Sequence, residues 1–144
     1  MTIRDIMTRD VQAVGPDDTI RRAAQLMDQL NVGGLPVCDG SRLLGMITDR
    51  DITVRATSAG LAPDRCTVSE VMTAEAHCCY EDDPVTAVAR LMGERQIRRV
   101  PVIDRDDRLV GIVSLGDLAT EAKDDRTAGA ALERISDPSE PDRS

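Results

Sequence analysis

Residues 45–52 read GMITDRDI, and residues 111–118 read GIVSLGDL. Both stretches follow one pattern: a glycine, two apolar residues, a threonine or serine, two variable positions, an aspartate, and then isoleucine or leucine. We call Thr48–Asp51 and Ser114–Asp117 the two hydroxyl–carboxylate frames. Their recurrence in so short a chain indicates an internal repeat.

The repeat extends well beyond the frames. Four pairs of segments are separated by 65 residues: DIMT at 5–8 and EVMT at 70–73, PDDTI at 16–20 and EDDPV at 81–85, AAQLM at 23–27 and VARLM at 88–92, and LPVCD at 35–39 and VPVID at 100–104. After the turn that follows the last pair, the offset becomes 66, as in the two frames. We therefore predict repeat 1 over 1–62, repeat 2 over 63–123, and a C-terminal helix extension with a flexible polar tail over 124–144.

The periodicity of apolar residues predicts the secondary structure of each repeat. Apolar residues on one helical face predict a helix over 18–30 and its counterpart from Val85 to Met92, with Asp18 and Asp83 as N-caps. The runs 35–39 and 43–48 predict a hairpin, and a short strand is expected near 11–14. Each repeat is then β-α-β-β-α. The predicted fold class is α/β (α+β), with the two repeats packed in pseudo-twofold symmetry, since about 60 residues alone make a marginal domain.

Composition and charge exclude several classes of function. The formal net charge is −8, and Tyr80 is the only aromatic residue. An acidic chain repels nucleic acids and anionic membranes, so we expect neither as a partner. No apolar run approaches the ~20 residues of a membrane span. The N-terminal MTIRDIMTRD carries charges where a signal peptide is apolar, which predicts a cytoplasmic protein.

The frames admit two interpretations. In the first, Thr48 or Ser114 is a helix N-cap, and the aspartate three residues later forms a capping box and faces the positive end of the helix dipole. In the second, the helix N-terminus and the hydroxyl bind a phosphate, while the carboxylate accepts hydrogen bonds from a ribose diol. Gly45 and Gly111 allow close backbone approach in the preceding strand. The two interpretations are compatible.

With these motifs in place, residues 3–120 resemble tandem CBS domains, the paired module named after cystathionine β-synthase and also called a Bateman module. The chain is similar to small stand-alone bacterial CBS proteins, including the hypoxia- and stress-induced ones of actinobacteria. The resemblance implies a non-catalytic regulatory sensor that binds AMP, ADP, ATP or a similar adenosine compound in clefts between the repeats. It also implies a homodimer and an effector protein of unknown identity, with no required cofactor.

The resemblance assigns a role to each predicted site residue. Asp51 and Asp117 would hold the ribose, and Thr48 and Ser114 would contact phosphate. The remaining positions would line the adenine slot or its opposite wall: the main chain of Val32–Pro36 and Ile97–Pro101, and the segments Val14–Asp17 and Cys79–Asp82. Tyr80 could lie against a base or be a surface ring.

Arginines distinguish the two repeats. Repeat 2 has Arg98 and Arg99 where repeat 1 has Gly33 and Gly34, and the repeat-1 frame contains Arg50. Because a guanidinium grips phosphate bidentately, we expect Arg98, Arg99 or Arg50 to meet a ligand phosphate. The competing interpretation of Arg98 and Arg99 is a solvated charged edge.

Other functions remain as alternatives. A dimeric stress or interaction protein without a small ligand would use the frames only as helix caps. Catalysis is disfavoured because the chain has one histidine and no recognisable triad. His77, Cys78 and Cys79 lack the spacing of a metal site and are interpreted as strand residues, so no metal is expected. A redox role for Cys38, Cys78 or Cys79 is disfavoured because neighbouring acidic residues should raise the thiol pKa; Cys66 has no assigned role.

Overall fold

The computed structural model describes residues 1–74 and 76–121. The chain forms two compact units. One is Gln12–Ala76, here called the repeat-1 unit; the other, the repeat-2 unit, combines Met1–Val11 with the chain from His77 onward. The predicted C-terminal extension and tail over 124–144 lie outside the described residues.

The repeat-1 unit holds a three-stranded sheet and its helices. Its elements are α1 (Ile20–Leu30), β1 (Gly34–Asp39), β2 (Arg42–Thr48), α2 (Asp49–Asp51) continuing into a π-helical segment (Ile52–Thr57), α3 (Val68–Val71) and β3 (Thr73–Ala74). The sheet order is β1-β2-β3, and both pairings are antiparallel. The predicted strand near 11–14 is reduced to one parallel bridge between Val14 and Val37.

The repeat-2 unit follows the same plan. Its elements are a 3-10 helix (Ile3–Asp5), β4 (Cys79–Tyr80), α4 (Val85–Arg95), β5 (Arg99–Ile103), β6 (Leu109–Ser114) and α5 (Leu115–Glu121). Strand β4 runs parallel to β5, and β5 pairs with β6 antiparallel. Thr8 adds an antiparallel bridge to Ile112. The predicted mixed helix-and-strand class and both hairpins are therefore confirmed.

Each unit completes its sheet with a segment from the other sequence repeat. Thr73, at the end of EVMT, pairs with Met46 of repeat 1, and Thr8, at the end of DIMT, bridges Ile112 of repeat 2. The glycines beside these positions make the approach possible. A Cβ atom on Gly111 would lie 2.8 Å from both the carbonyl oxygen of Thr8 and the sulfur of Met7, and one on Gly45 would collide with the carbonyl oxygen of Thr73.

Each unit has its own hydrophobic core of aliphatic residues. The repeat-1 core consists of Val14, Ile20, Ala23, Leu26, Met27, Leu35, Val37, Ile47, Ala56, Cys66, Val68 and Val71. The repeat-2 core consists of Ile3, Ile6, Met7, Cys79, Val85, Val88, Ala89, Met92, Val100, Val102, Val113 and Leu118. The apolar residues of these helices and strands face the two cores. The frames lie where β2 is followed by α2 and where β6 is followed by α5.

The predicted N-caps of the first helices are wrong by one residue. Thr19 caps α1 by accepting a hydrogen bond from the Arg22 amide, and Pro84 occupies the N-cap position of α4. Asp18 instead accepts from the Gly15 amide at 2.8 Å. Asp83 likewise accepts from the Tyr80 amide at 2.9 Å. Both carboxylates therefore accept a hydrogen bond from the turn that precedes the helix, and not from an amide in the first turn of the helix.

Among the described residues, no helix combines the length and the apolar character that crossing a bilayer requires.

Candidate functional site

Both frames fold into the same reciprocal hydrogen-bond arrangement. The Thr48 amide donates to Asp51 Oδ2 at 2.9 Å, and the Asp51 amide donates back to Thr48 Oγ1 at 3.1 Å. The Ser114 amide donates to Asp117 Oδ2 at 2.8 Å, and the Asp117 amide donates to Ser114 Oγ at 3.1 Å. These are capping boxes. One oxygen of each carboxylate is thereby used by the main chain.

The structure brings each frame together with the start of the first strand of its hairpin, but places the segments predicted for the opposite wall farther along that strand. In the repeat-1 unit, Thr48 pairs with Gly34, and the Asp49 amide donates to Gly33 O at 2.9 Å. Val14 lies next to this strand, since its amide donates to Pro36 O at 3.0 Å.

The repeat-2 unit repeats the arrangement. Ser114 pairs with Arg99, and the Leu115 amide donates to Arg98 O at 2.9 Å. Cys79 pairs with Val102, the residue after Pro101. Arg98, Arg99 and the Ser114 frame therefore lie at one end of the β5–β6 hairpin, whereas Cys79 and Tyr80 pair with Val102 and Ile103 toward its turn. Val14 likewise pairs with Val37, three residues along β1 from Gly34, the partner of Thr48.

Several predicted lining residues offer main chain rather than side chain. Val14, Pro36 and Cys79 are buried, as is Pro101. The side chains of Val32 and Ile97 are half-buried and pack against the repeat-1 and repeat-2 cores, respectively. The amide of Val14 donates to Pro36 O and its carbonyl group accepts from the Cys38 amide, so these main-chain groups hold the sheet together.

The three arginines predicted to meet phosphate are accessible. Arg50 and Arg98 are exposed, and Arg99 is half-buried. None of the three forms an ion pair with an acidic residue in 1–74 or 76–121. This state fits both the phosphate interpretation and the solvated-edge interpretation.

Tyr80 is covered on one face by an arginine that the sequence analysis did not single out. The guanidinium carbon of Arg105 lies 3.8 Å from the ring centroid, and Arg105 Nη2 donates to both carboxylate oxygens of Asp82 at 3.1 Å. The hydrogen bond from Arg105 lowers the pKa of Asp82. A base would therefore stack on the other face of Tyr80 or displace the guanidinium. Arg105 comes from the turn of the repeat-2 hairpin, which the change of offset from 65 to 66 residues shows to be one residue longer, but the sequence does not specify which side chains this turn approaches.

Arg55 is a second residue missing from the predicted site. Its Nε lies 3.8 Å from Asp51 Oδ1, and its Nη1 lies 3.3 Å from Met72 O. The spacing of four residues between Asp51 and Arg55 was visible in the sequence and is typical of ion pairs along a helix.

A shallow groove of about 320 Å³ lies on the repeat-1 unit. It is lined by Ala24, Met27, Asp28, Val32, Asp49, Ile52 and Thr53. Val32 belongs to the predicted site and Asp49 to the Thr48–Asp51 frame, so this groove, between α1 and the helical segment after β2, borders the frame without being lined by Thr48 or Asp51.

The surroundings of all four cysteine thiols raise their pKa above the ordinary value. Burial, and secondarily the charge of Asp83, raises the pKa of Cys79 to about 12. Burial raises the pKa of the Cys38 and Cys66 thiols as well, and Asp107 and Asp83 add to the effect of desolvation at Cys78. In 1–74 and 76–121, no group of three histidine, cysteine or acidic residues is placed to hold a metal ion.

The described chain consists of two similar units, each with a capped carboxylate at a strand-to-helix junction. The CBS domain family model matches residues 3–56 and 68–124. The chain belongs to the CBS-domain family.

Curated relatives share this size. The CBS domain-containing protein YhcV of Bacillus subtilis is 44% identical over 135 residues, which cover 94% of this chain and 95% of the relative. Hypoxic response protein 1 of Mycobacterium tuberculosis is 42% identical over 119 residues, or 82% of each chain. These relatives place the chain among small CBS-domain proteins of regulatory or unestablished function.

Solved structures share the fold. Hypoxic Response Protein I, with two coordinated zinc ions, aligns with a TM-score of 0.78 and 41% identity over 84% of this chain and 98% of its own. The CBS domain pair of protein MJ0100, in complex with 5-methylthioadenosine and S-adenosyl-L-methionine, aligns with a TM-score of 0.73 and 32% identity over 83% and 93%. CBSX2 in complex with AMP aligns with a TM-score of 0.73 and 28% identity over 84% and 95%.

Proposed function

We propose that this CBS protein is a non-catalytic sensor that binds an adenosine-containing ligand through its hydroxyl–carboxylate frames and transmits the binding to an effector protein. The observation that carries the proposal is the pair of capped carboxylates, Asp51 and Asp117, each at the junction where the second strand of a hairpin meets a helix. Adenosine-type ligands in the MJ0100 and CBSX2 structures support it.

The chemistry of the frames suits a nucleoside. A carboxylate accepts two hydrogen bonds from a ribose diol, and charge-assisted bonds of this kind are short and strong. The hydroxyls of Thr48 and Ser114 and the exposed guanidinium of Arg98 could then meet a phosphate. We also propose that the protein works in the cytoplasm as a homodimer and requires no bound cofactor.

Thermal unfolding of the full chain tests the proposal. The ligand panel is AMP, ADP, ATP, NAD and S-adenosylmethionine. A ligand at 100 times its dissociation constant should stabilise the fold by about 2.7 kcal/mol. At roughly 2–4 °C per kcal/mol, the melting temperature should rise by about 5–10 °C.

Three variants locate the site. Asp51→Asn and Asp117→Asn keep an acceptor for the Thr48 and Ser114 amides but remove the charge that a diol prefers. Glu70→Gln is the matched control, because Glu70 forms the same kind of capping box with Thr67 where no ligand is expected. The proposal expects a ligand shift in the control and loss of that shift in at least one aspartate variant.

A second candidate function has its own support. The capping boxes already give the frame hydroxyls and carboxylates a structural use, which fits a dimeric interaction protein without a small ligand. In that case no compound in the panel changes the melting temperature. The aspartate variants would then lower the melting temperature by about as much as the Glu70→Gln control does, with or without a ligand.

A further inference from the structure

The two frames share their main-chain cap but differ at the second carboxylate oxygen. Asp51 Oδ1 faces the Nε atom of Arg55 at 3.8 Å. The Asp117 carboxylate forms no ion pair with any residue in 1–74 or 76–120, and the hydrogen bond that it accepts there comes from the Ser114 amide. Asp51 is also only 4% exposed, whereas Asp117 is half-buried. The repeat-2 carboxylate is therefore the more available acceptor.

Arg55 is held in place by more than Asp51. Its Nη1 atom lies 3.5 Å from Val71 O and 3.3 Å from Met72 O, the carbonyl groups that lead into β3. The guanidinium therefore links the frame carboxylate to the main chain just before β3. An approaching diol would have to share Asp51 with a cation that is already anchored.

The sequence explains why repeat 2 lacks this contact. With the repeat offset of 66, the position equivalent to Arg55 is occupied by Glu121, the last residue of α5. Four residues after the frame aspartate, repeat 1 therefore carries a cation and repeat 2 an acid. Only an opposite charge at this spacing is favourable on a helix.

We propose that Arg55 is a specificity-determining residue that makes the two frames unequal. Ser114–Asp117 takes the adenosine-type ligand, and Arg55 withholds the Asp51 carboxylate of Thr48–Asp51 from a second molecule. This inference rests on the proposed function. It assigns one ligand per chain and names the side chain responsible.

Isothermal titration calorimetry of the full chain measures the number of sites. The probes are AMP, ATP and S-adenosylmethionine, each titrated separately. The wild-type protein is expected to bind one molecule per chain. Asp117→Asn abolishes binding, and Asp51→Asn leaves one site intact.

Charge changes at two positions test the role of Arg55. Arg55→Gln removes the cation beside Asp51 and is expected to bind two molecules per chain. Arg21→Gln is the matched control, because Arg21 pairs with Asp64 at 3.0 Å in the same unit, away from the frame; it keeps one site. Glu121→Arg places a cation four residues after Asp117 and is expected to weaken the single site.

The outcomes separate this inference from the proposed function. Two sites in the wild type, or one site that is lost in Asp51→Asn and kept in Asp117→Asn, overturns the inference while ligand binding stands. One site in a folded Arg55→Gln variant also overturns it. If Arg55→Gln does not fold, the two aspartate variants and Glu121→Arg still decide. Absence of binding with every probe in every variant overturns the proposed function and the inference together.

Discussion

At the scale of single residues, Gly45 and Gly111 lie where a further segment of the same chain runs close beside the hairpin. The sequence predicted close backbone approach at both positions but not what approaches. Thr73 and Thr8 do, from segments of the opposite repeat. The glycines are thereby explained by the completion of the sheet, without reference to a ligand.

Gly111→Ala and Gly45→Ala should both destabilise the protein. The added Cβ cannot be accommodated unless main chain moves, and overpacking of this kind costs about 1–3 kcal/mol. Urea unfolding followed by circular dichroism measures the effect. Gly116→Ala is the matched control, since its Cβ would meet only Ser114 Oγ at 3.6 Å. A Gly111→Ala variant as stable as the wild type would contradict the assignment.

Other single residues have contacts that the sequence does not predict. The frames, both hairpins and the first helices follow from local patterns, because those patterns report which face is buried. The pairing of Arg105 with Tyr80 and Asp82 follows from the path of a turn, which no local pattern specifies. Asp18 and Asp83 were misplaced because a carboxylate can cap a turn as readily as a helix.

At the scale of elements, one capping device recurs along the chain. Among the described residues it forms at Thr2–Asp5, Thr48–Asp51, Thr67–Glu70 and Ser114–Asp117. The first and third of these are themselves repeat partners, at the start of the DIMT and EVMT segments. A hydroxyl and an acid three residues apart therefore do not define a ligand site here. Thr48–Asp51 and Ser114–Asp117 are distinguished by their position directly after the second strand of a hairpin.

Glu70→Gln should make stability less dependent on pH. Hydrogen bonds from the Thr67 amide and hydroxyl lower the pKa of Glu70 below its ordinary value of 4.5. A carboxyl group with a lowered folded-state pKa stabilises the fold above its unfolded pKa and loses that contribution as pH falls through the folded value. The variant should therefore be less stable than the wild type at pH 7, and the difference should shrink as the pH falls below the ordinary value of 4.5.

Urea midpoints at pH 7, 5 and 3 measure this difference. Glu94→Gln is the control, because Glu94 is exposed on α4 and forms no ion pair with a described residue. A gap between Glu70→Gln and wild type that persists unchanged at pH 3 would contradict the role of the charged carboxylate.

At the scale of the whole molecule, sequence repeats and compact units are different divisions of the chain. The repeats are similar stretches of sequence separated by an offset of 65 or 66 residues. The units divide the chain differently, because Met1–Val11 joins the unit built from repeat 2 and, in exchange, the segment up to Ala76 joins the unit built from repeat 1. Ile3 is completely buried in the repeat-2 core, and the Ile3 amide donates to Asp83 O at 3.0 Å. Offsets between similar segments cannot reveal this exchange, because both copies carry the same IMT-like pattern and either sheet could accept either segment.

The exchange predicts which fragments fold. A fragment of residues 12–76 retains β3, α3 and the core residues Val68 and Val71, whereas a fragment of 1–62 lacks them and exposes Ile3 instead. The two fragments are nearly equal in length, and both lie near the size at which a single core is marginal. We expect 12–76 to unfold cooperatively in urea and 1–62 to lose ellipticity gradually. Because removal of buried aliphatic side chains costs about 2–5 kcal/mol each, the missing residues outweigh any benefit of the N-terminal segment. Cooperative unfolding of 1–62 at urea concentrations equal to or above those for 12–76 would show that the repeat, not the exchanged unit, is what folds.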